Sequence, residues 1–319
     1  MKPKFMHVNA RFSLLPAACM LVWLCAACQQ QQPAPPIREG LLQSDGAELY
    51  YKRMGKGEPI LLVHGGPGLD HSYLLPQMGM LAQHYELIFY DQRACGRSSV
   101  EVDTSSISIS QFVRDLEAVR QMSGHERIHL LGHSWGGLLA MYYAIAHPQR
   151  LKSLILLNPM SPSHVLKAKE DSLLNAHTTP EEMAAINEIM QSPAFQQQQI
   201  PAYEALFREF FRREFYDKRL ADSLSLHFQP TFVQGSRLLQ HLGKDLASYE
   251  LRPQLGSISC PTLIIYGQEE TGGQVAAPAL QAAMPQARLL MFERCGHFPY
   301  IERPELLRQS LSDFLQTAN

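Results

Sequence analysis

Along most of the chain, short apolar runs alternate with stretches whose apolar residues recur every three or four positions. "PILLVHGG" (59–66) and "ELIFYDQR" (86–93) end abruptly in polar and glycine residues, as strands buried on both faces of a parallel sheet do. "EGLLQSDG" and "AELYYKRMG", with turn residues between them, read as two further strands. "LDHSYLLPQMGMLAQHY" (69–85) carries apolar residues at helical spacing. "ISQFVRDLEAVRQMSG" (109–124) is a clearer helix, with Phe112, Leu116 and Val119 on one stripe and Gly124 just past its end. "RIHLLGHSWGG" reads as strand then tight turn, "LLAMYYAIAHP" as a helix stopped at Pro148, and "LKSLILLNP" as another buried strand. This alternation predicts an α/β fold, a mostly parallel central sheet with helices on both faces.

From residue 161 to about 250 the alternation stops. Helical stretches follow one another there, including "YEALFREFFRREFYDKRLADSL", whose Tyr203, Leu206, Phe207, Phe210 and Phe211 form an apolar face suited to packing against the rest of the protein. Strand signals resume with "PTLIIYG" and "ARLLMFERCGH", and the chain ends in the helix "PELLRQSLSDFLQTA". The expected organisation is a core of residues 38–160 and 251–319 interrupted by a helical cap, 161–250.

The first 28 residues follow another logic. Lys2, Lys4 and Arg11 precede "FSLLPAACMLVWLCAAC", an apolar run ending in small residues. That is the layout of a secretory leader, and Pro16 and the run's length argue against a spanning helix. Cys28 follows two alanines, a layout that resembles a bacterial lipoprotein box, although Cys25 stands where that box usually has Leu. Residues 29–37, opening with "QQQQPAPP", are too polar and Pro-rich to pack and read as a tether. The expectation is an exported protein, anchored by a lipid on Cys28 facing the periplasm or cell exterior, or otherwise secreted. Any membrane contact would run through that anchor.

Composition narrows the function classes. A net charge of -2 gives no reason to expect nucleic-acid binding. Of six cysteines, Cys19, Cys25 and Cys28 fall in the leader, so Cys95, Cys260 and Cys295 remain and the fold must stand on its core. No metal cluster, phosphate loop or dinucleotide fingerprint is present, so neither metal nor cofactor is expected.

The candidate chemistry starts at "GHSWGG". Ser134 sits between a strand and a helix in the pattern G-x-S-x-G, where a strained turn presents the hydroxyl. A serine nucleophile needs a base. Of thirteen histidines, His297 lies just after the strand "RLLMF", at the sheet edge where the strand before Ser134 also ends. His64 and His133 share that edge and are better read as making local hydrogen bonds. A catalytic histidine must be held by an acceptor, and "IIYG" ends beside it with Glu269 and Glu270. The position after "SLILLN" offers Asn158 and no carboxylate. Either glutamate gives the chain order Ser, acid, His.

"HGGPG" (64–68), "DQRACGRSS" (91–99), "GHSWGG" and "CGHFPYIERPE" together resemble the proline iminopeptidase branch of the α/β-hydrolase fold. The likeness spans nearly all of the sheet domain and is fainter in the cap. It implies Glu270 as the acid, where the family usually has Asp three residues after the glycine ending that strand. It also implies an oxyanion hole from the backbone N–H groups of Trp135 and Gly66. Asp91, Arg93 and Arg97 are expected to be paired structurally.

The family would bind a substrate amine through carboxylates. Here Thr271 follows Glu270 where relatives can carry Glu, and "FVQGSRLLQHLGKDLASY" has Asp245 but no Glu. Glu204, Glu209 and Glu214 are the cap candidates, beside Glu250, and none matches a family motif. The expected partner is thus a small peptide or amide, and the expected activity an aminopeptidase releasing N-terminal proline or another small apolar residue. An esterase or amidase of uncharged substrates is the alternative, and a non-catalytic binding protein on the same fold stands behind both. Cys95 and Cys295 follow strands at the catalytic edge, so a thiol modifier that blocks the site is a further expectation, against which stands the reading of both as buried, inert thiols.

Overall fold

The structure, a computed structural model, describes residues 37–318. The expected leader, Cys28 and most of the tether lie outside the described residues. Ile37, assigned above to the tether, instead opens the first strand.

The described strands form one eight-stranded sheet: β1 (Ile37–Ser44), β2 (Ala47–Met54), β3 (Glu58–Val63), β4 (Tyr85–Tyr90), β5 (Ile128–His133), β6 (Leu151–Leu157), β7 (Thr262–Gly267) and β8 (Arg288–Phe292). Their spatial order is β1-β2-β4-β3-β5-β6-β7-β8. β1 and β2 form a hairpin and β2 pairs antiparallel with β4. From β4 onward all pairings are parallel. Asp45 and Gly46 both take positive φ in the hairpin turn, as a two-residue Asp-Gly connection requires. Every residue of β5 and β7 is buried, the polar His129 and His133 of β5 included.

Helices α1 (Ile109–Ser123) and α2 (Trp135–Ala146) follow the expected spans. Ser108 caps α1 through a bond from the Gln111 N–H, and Gly124 closes it at φ 82°. The stretch 69–85 departs from the expectation of one helix. It breaks into the short turns His71–Tyr73, Leu75–Met78 and Gly79–Gln83. Pro76 and Gly79 explain this, one lacking a donor N–H and the other adding backbone freedom.

Between β6 and β7 the chain forms helices α3 (His164–His177), α4 (Pro180–Gln191), α5 (Ile200–Arg212) and α6 (Phe232–Leu239), with shorter turns between them. After β7 come α7 (Thr271–Ala283) and, following β8, α8 (Pro304–Thr317). Two apolar cores cover the faces of the sheet, one built on α1 and α2 and the other on α8 and the cap residues Phe215, Leu224 and Leu226. No helix among the described residues is long and apolar enough to cross a membrane.

Candidate active site

Four neighbouring strands, β5 to β8, each deliver one polar residue beyond their carboxyl ends: Ser134, Asn158, Glu270 and His297. Ser134 sits at φ 56°, ψ -122°, outside the regions favoured by L-residues, as a nucleophile elbow requires. Close packing holds the turn in place. A Cβ on Gly136 would stand 2.1 Å from the Val63 carbonyl oxygen, so the glycine lets α2 press against the end of β3. The Trp135 N–H, the first of α2, lies ahead of the helix's own ladder, in which Gly137 is the first to donate, to the Ser134 carbonyl at 2.8 Å.

His297 Nδ1 lies 2.5 Å from Glu270 Oε1. The other oxygen of Glu270 accepts a hydrogen bond from Asn158 Nδ2, which also donates to the Gly296 carbonyl at 3.1 Å. Glu270 is buried, whereas Glu269 is exposed, so the structure brings only the former to His297. Burial by itself would lower the pKa of His297. The negative charges of Glu270 and Glu214 and the bond to Glu270 outweigh it and push the group up to about 9.

Ser134 and His297 both line a cavity of about 140 Å³, together with Gly65, Gly66, Pro67, Leu69, Tyr73, His133, Phe207, Phe211 and Phe298. The Gly65 N–H is engaged by Tyr73 Oη at 2.7 Å, and the neighbouring Gly66 lines the cavity. Tyr73 Oη in turn lies 2.7 Å from His133 Nδ1, and His133 Nε2 lies 3.1 Å from the His297 carbonyl oxygen. A consistent assignment has the tyrosine hydroxyl donating to Nδ1 and Nε2–H donating to the carbonyl, with His133 neutral. Burial, reinforced by the charge of His297, holds its pKa well below the usual histidine range. His64 also bonds locally, to the Gly65 carbonyl and the Gln92 N–H. Both histidines therefore tie loops together.

Of the three cap carboxylates named above, two serve the cap itself. Glu204 accepts from the Phe228 N–H and Glu209 pairs with Arg212. Glu250 pairs with Arg252, and Asp245 accepts the Ile109 N–H at the start of α1. Glu214 is the one brought to the site, its Oε2 3.8 Å from His297 Nδ1, and it faces the histidine rather than the cavity.

Several site residues carried no sequence signal. In the sequence Asn158 stands out only as a position without a carboxylate. Phe207 and Phe211 belong to the stripe read as packing, yet they form the cap side of the cavity. Glu170 on α3 is buried and bonded by the Ser161 hydroxyl. Burial pushes its carboxyl up to about 7, the Ser161 bond opposing and the charge of Glu270 adding to the rise.

"DQRACGRSS" is a scaffold loop, with partners finer than expected. Arg93 makes a two-pronged bond to Asp115, Asp91 holds His71 and the Arg97 N–H, and Arg97 lies over the Tyr50 ring. Cys95 and Cys295 are fully buried and absent from the cavity lining. Burial raises both thiols far above the ordinary range, which favours the protonated, unreactive form. Their burial and their absence from the cavity lining agree with the reading of inert thiols rather than with a thiol that blocks the site.

Comparisons with known proteins place the chain in a family. Residues 58–304 match the model of the alpha/beta hydrolase fold family. A proline iminopeptidase of Lactobacillus delbrueckii subsp. lactis is 31% identical over 303 residues, spanning 88% of this chain and 98% of that protein. One from Heyndrickxia coagulans is 28% identical over 288 residues, spanning 88% and 99%. The crystal structure of the Mycobacterium smegmatis proline iminopeptidase superposes with a TM-score of 0.66 at 21% identity, covering 88% of this chain and 98% of that one. The chain belongs to the α/β-hydrolase fold family, in its proline iminopeptidase-like branch, and is an enzyme of the serine-hydrolase type.

Proposed function

We propose that the enzyme is an aminopeptidase that releases N-terminal proline or another small apolar residue from peptides, using Ser134, His297 and Glu270. The observation that carries this reading is the meeting of Ser134 and a carboxylate-held His297 on one small, mostly apolar cavity. Ser134 Oγ attacks the scissile carbonyl carbon while His297 Nε2 takes the hydroxyl proton. The C=O bond becomes a C–O⁻ held by the N–H groups of Trp135 and Gly66, at the positive end of α2. The oxyanion then reforms the carbonyl as the C–N bond breaks, and His297 returns the proton to the leaving amine. Water, deprotonated by His297, next cleaves the acyl–serine ester.

One observation favours the esterase or amidase reading. Among the described residues that line the cavity there is no carboxylate, so a charged substrate amine would lose water without gaining a direct ionic partner. Matched prolyl arylamides with free and acetylated amines separate the two, with Ser134→Ala as control. A strong preference for the free amine supports the aminopeptidase. Equal or reversed rates make the enzyme an esterase or amidase on the same residues.

The leader supports export and a lipid on Cys28, in keeping with a peptide-processing enzyme outside the cytoplasm. Feeding cells a tagged fatty acid tests this. A Cys28-dependent label supports the anchor, cleaved but unlabelled protein rejects it, and an uncleaved cytoplasmic chain rejects export.

A further inference from the structure

The segment after α5 belongs to the cap, yet it is fastened to the loop that carries His297. The His297 N–H donates to the Glu214 carbonyl at 2.9 Å. A Cβ on Gly296 would stand 2.0 Å from that same oxygen, so the approach requires glycine. Glu302 clamps both sides, accepting the N–H groups of Gly296 at 2.7 Å, Tyr216 at 2.8 Å and Asp217 at 3.2 Å. This backbone lacing delivers the Glu214 side chain to His297 Nδ1, the nitrogen that Glu270 holds.

We propose that Glu214 is a positioning residue for His297: a second carboxylate, carried by the cap, that stabilises the imidazolium formed during acyl transfer and sets the pH at which the histidine acts as base. The proposal rests on the catalytic reading of Ser134 and His297 given above.

The groups around His297 make the direction of the effect definite. Glu270 faces it from the loop after β7, Glu214 from the cap and Glu170, more remotely, from α3. His133 packs against it with ring centroids 4.9 Å apart and is held neutral by burial. Lys167 and Arg213 act on Glu214. Burial raises the Glu214 carboxyl, and the charge of His297 opposes that rise.

A base must be neutral to accept a proton, so kcat/KM should climb as pH rises through the His297 pKa, near 9. Removing a negative neighbour lowers that pKa. Glu214 is farther from Nδ1 than Glu270 and only half-buried, so its share is the smaller, about one unit.

The test is the pH profile of kcat/KM for wild type, Glu214→Gln and Glu214→Asp. The amide variant should move the acid limb down by about one pH unit and lower the plateau kcat by about tenfold. The aspartate keeps the charge and should leave the limb near its wild-type position. The backbone bond from His297 is unchanged in both, so a purely structural role for the segment predicts no movement. NMR titration of His297 in Ser134→Ala, with and without Glu214→Gln, reads the same shift without turnover. Coincident limbs and titrations, with Ser134→Ala inactive, overturn the proposal alone. So does a loss confined to KM for free-amine substrates, which would make Glu214 an amine-binding residue. Full activity in Ser134→Ala would instead overturn the catalytic reading beneath it.

Discussion

Replacing Glu270 with glutamine keeps the shape of the side chain and removes one acceptor from a network that uses two. Oε1 faces His297 Nδ1 at 2.5 Å and Oε2 accepts from Asn158 Nδ2. An amide offers one oxygen and one NH₂. If its oxygen faces His297, its NH₂ meets the NH₂ of Asn158. Turning Asn158 over relieves that clash but points its oxygen at the Gly296 carbonyl, which its Nδ2 now bonds at 3.1 Å. If instead the NH₂ faces His297, it donates to Nδ1 and forces the imidazole proton onto Nε2. The base then has no lone pair to offer the nucleophile. In a triad whose acid becomes an amide, the wrong tautomer lowers kcat by about 10⁴, equivalent to about 5 kcal/mol of barrier. The assay is steady-state hydrolysis of an activated ester or arylamide by Glu270→Gln, with thermal melting to establish that the variant folds. Glu269→Gln is the control, because Glu269 is exposed and only its backbone is bonded nearby, to Cys295. It should match wild type. A Glu270→Gln variant that retains more than about a tenth of wild-type kcat would refute the tautomer reasoning.

The bond between Arg93 and Asp115 is a second place where charge is locked in. Both side chains are at most 1% exposed, so Asp115→Ala strands a buried guanidinium. This should cost about 3–5 kcal/mol and lower Tm by roughly 10 °C, with turnover per folded molecule retained; a fall under about 3 °C in calorimetry would contradict it. Iodoacetamide applied to the native enzyme should leave activity intact and Cys95 and Cys295 unlabelled by mass spectrometry, both reacting once denaturant is added. Inhibition that tracks labelling of Cys295 would show that the thiol is reachable.

The sequence by itself determined the sheet architecture and which residues are candidates for the centre of the site. Strands buried on both faces are dominated by apolar residues, so the apolar stretches within β3, β4, β6 and β7 announce themselves as short runs. A nucleophile elbow needs small residues at fixed offsets, so Gly132, Ser134 and Gly136 are legible without coordinates. His297 could be selected because it follows a strand whose edge is already known. The choice between Glu269 and Glu270 was narrowed by resemblance and separated in space by burial, since adjacent residues in a loop point in different directions and only one can face inward.

What the tertiary structure decided concerns contacts between segments far apart in the chain. Asn158 could not be recognised as the clamp on Glu270, because the two are 112 positions apart and nothing local requires an amide there. Phe207 and Phe211 sit on an amphipathic stripe that looks the same whether it covers a core or a cavity. The cap carboxylates were equivalent in sequence. Glu204 and Glu209 found partners within the cap, while the turn ending α5 swung Glu214 onto His297. Periodicity reports which face of an element is buried. The neighbour it is buried against is set by how the cap folds back over the sheet, and that placement determines which charges reach the histidine.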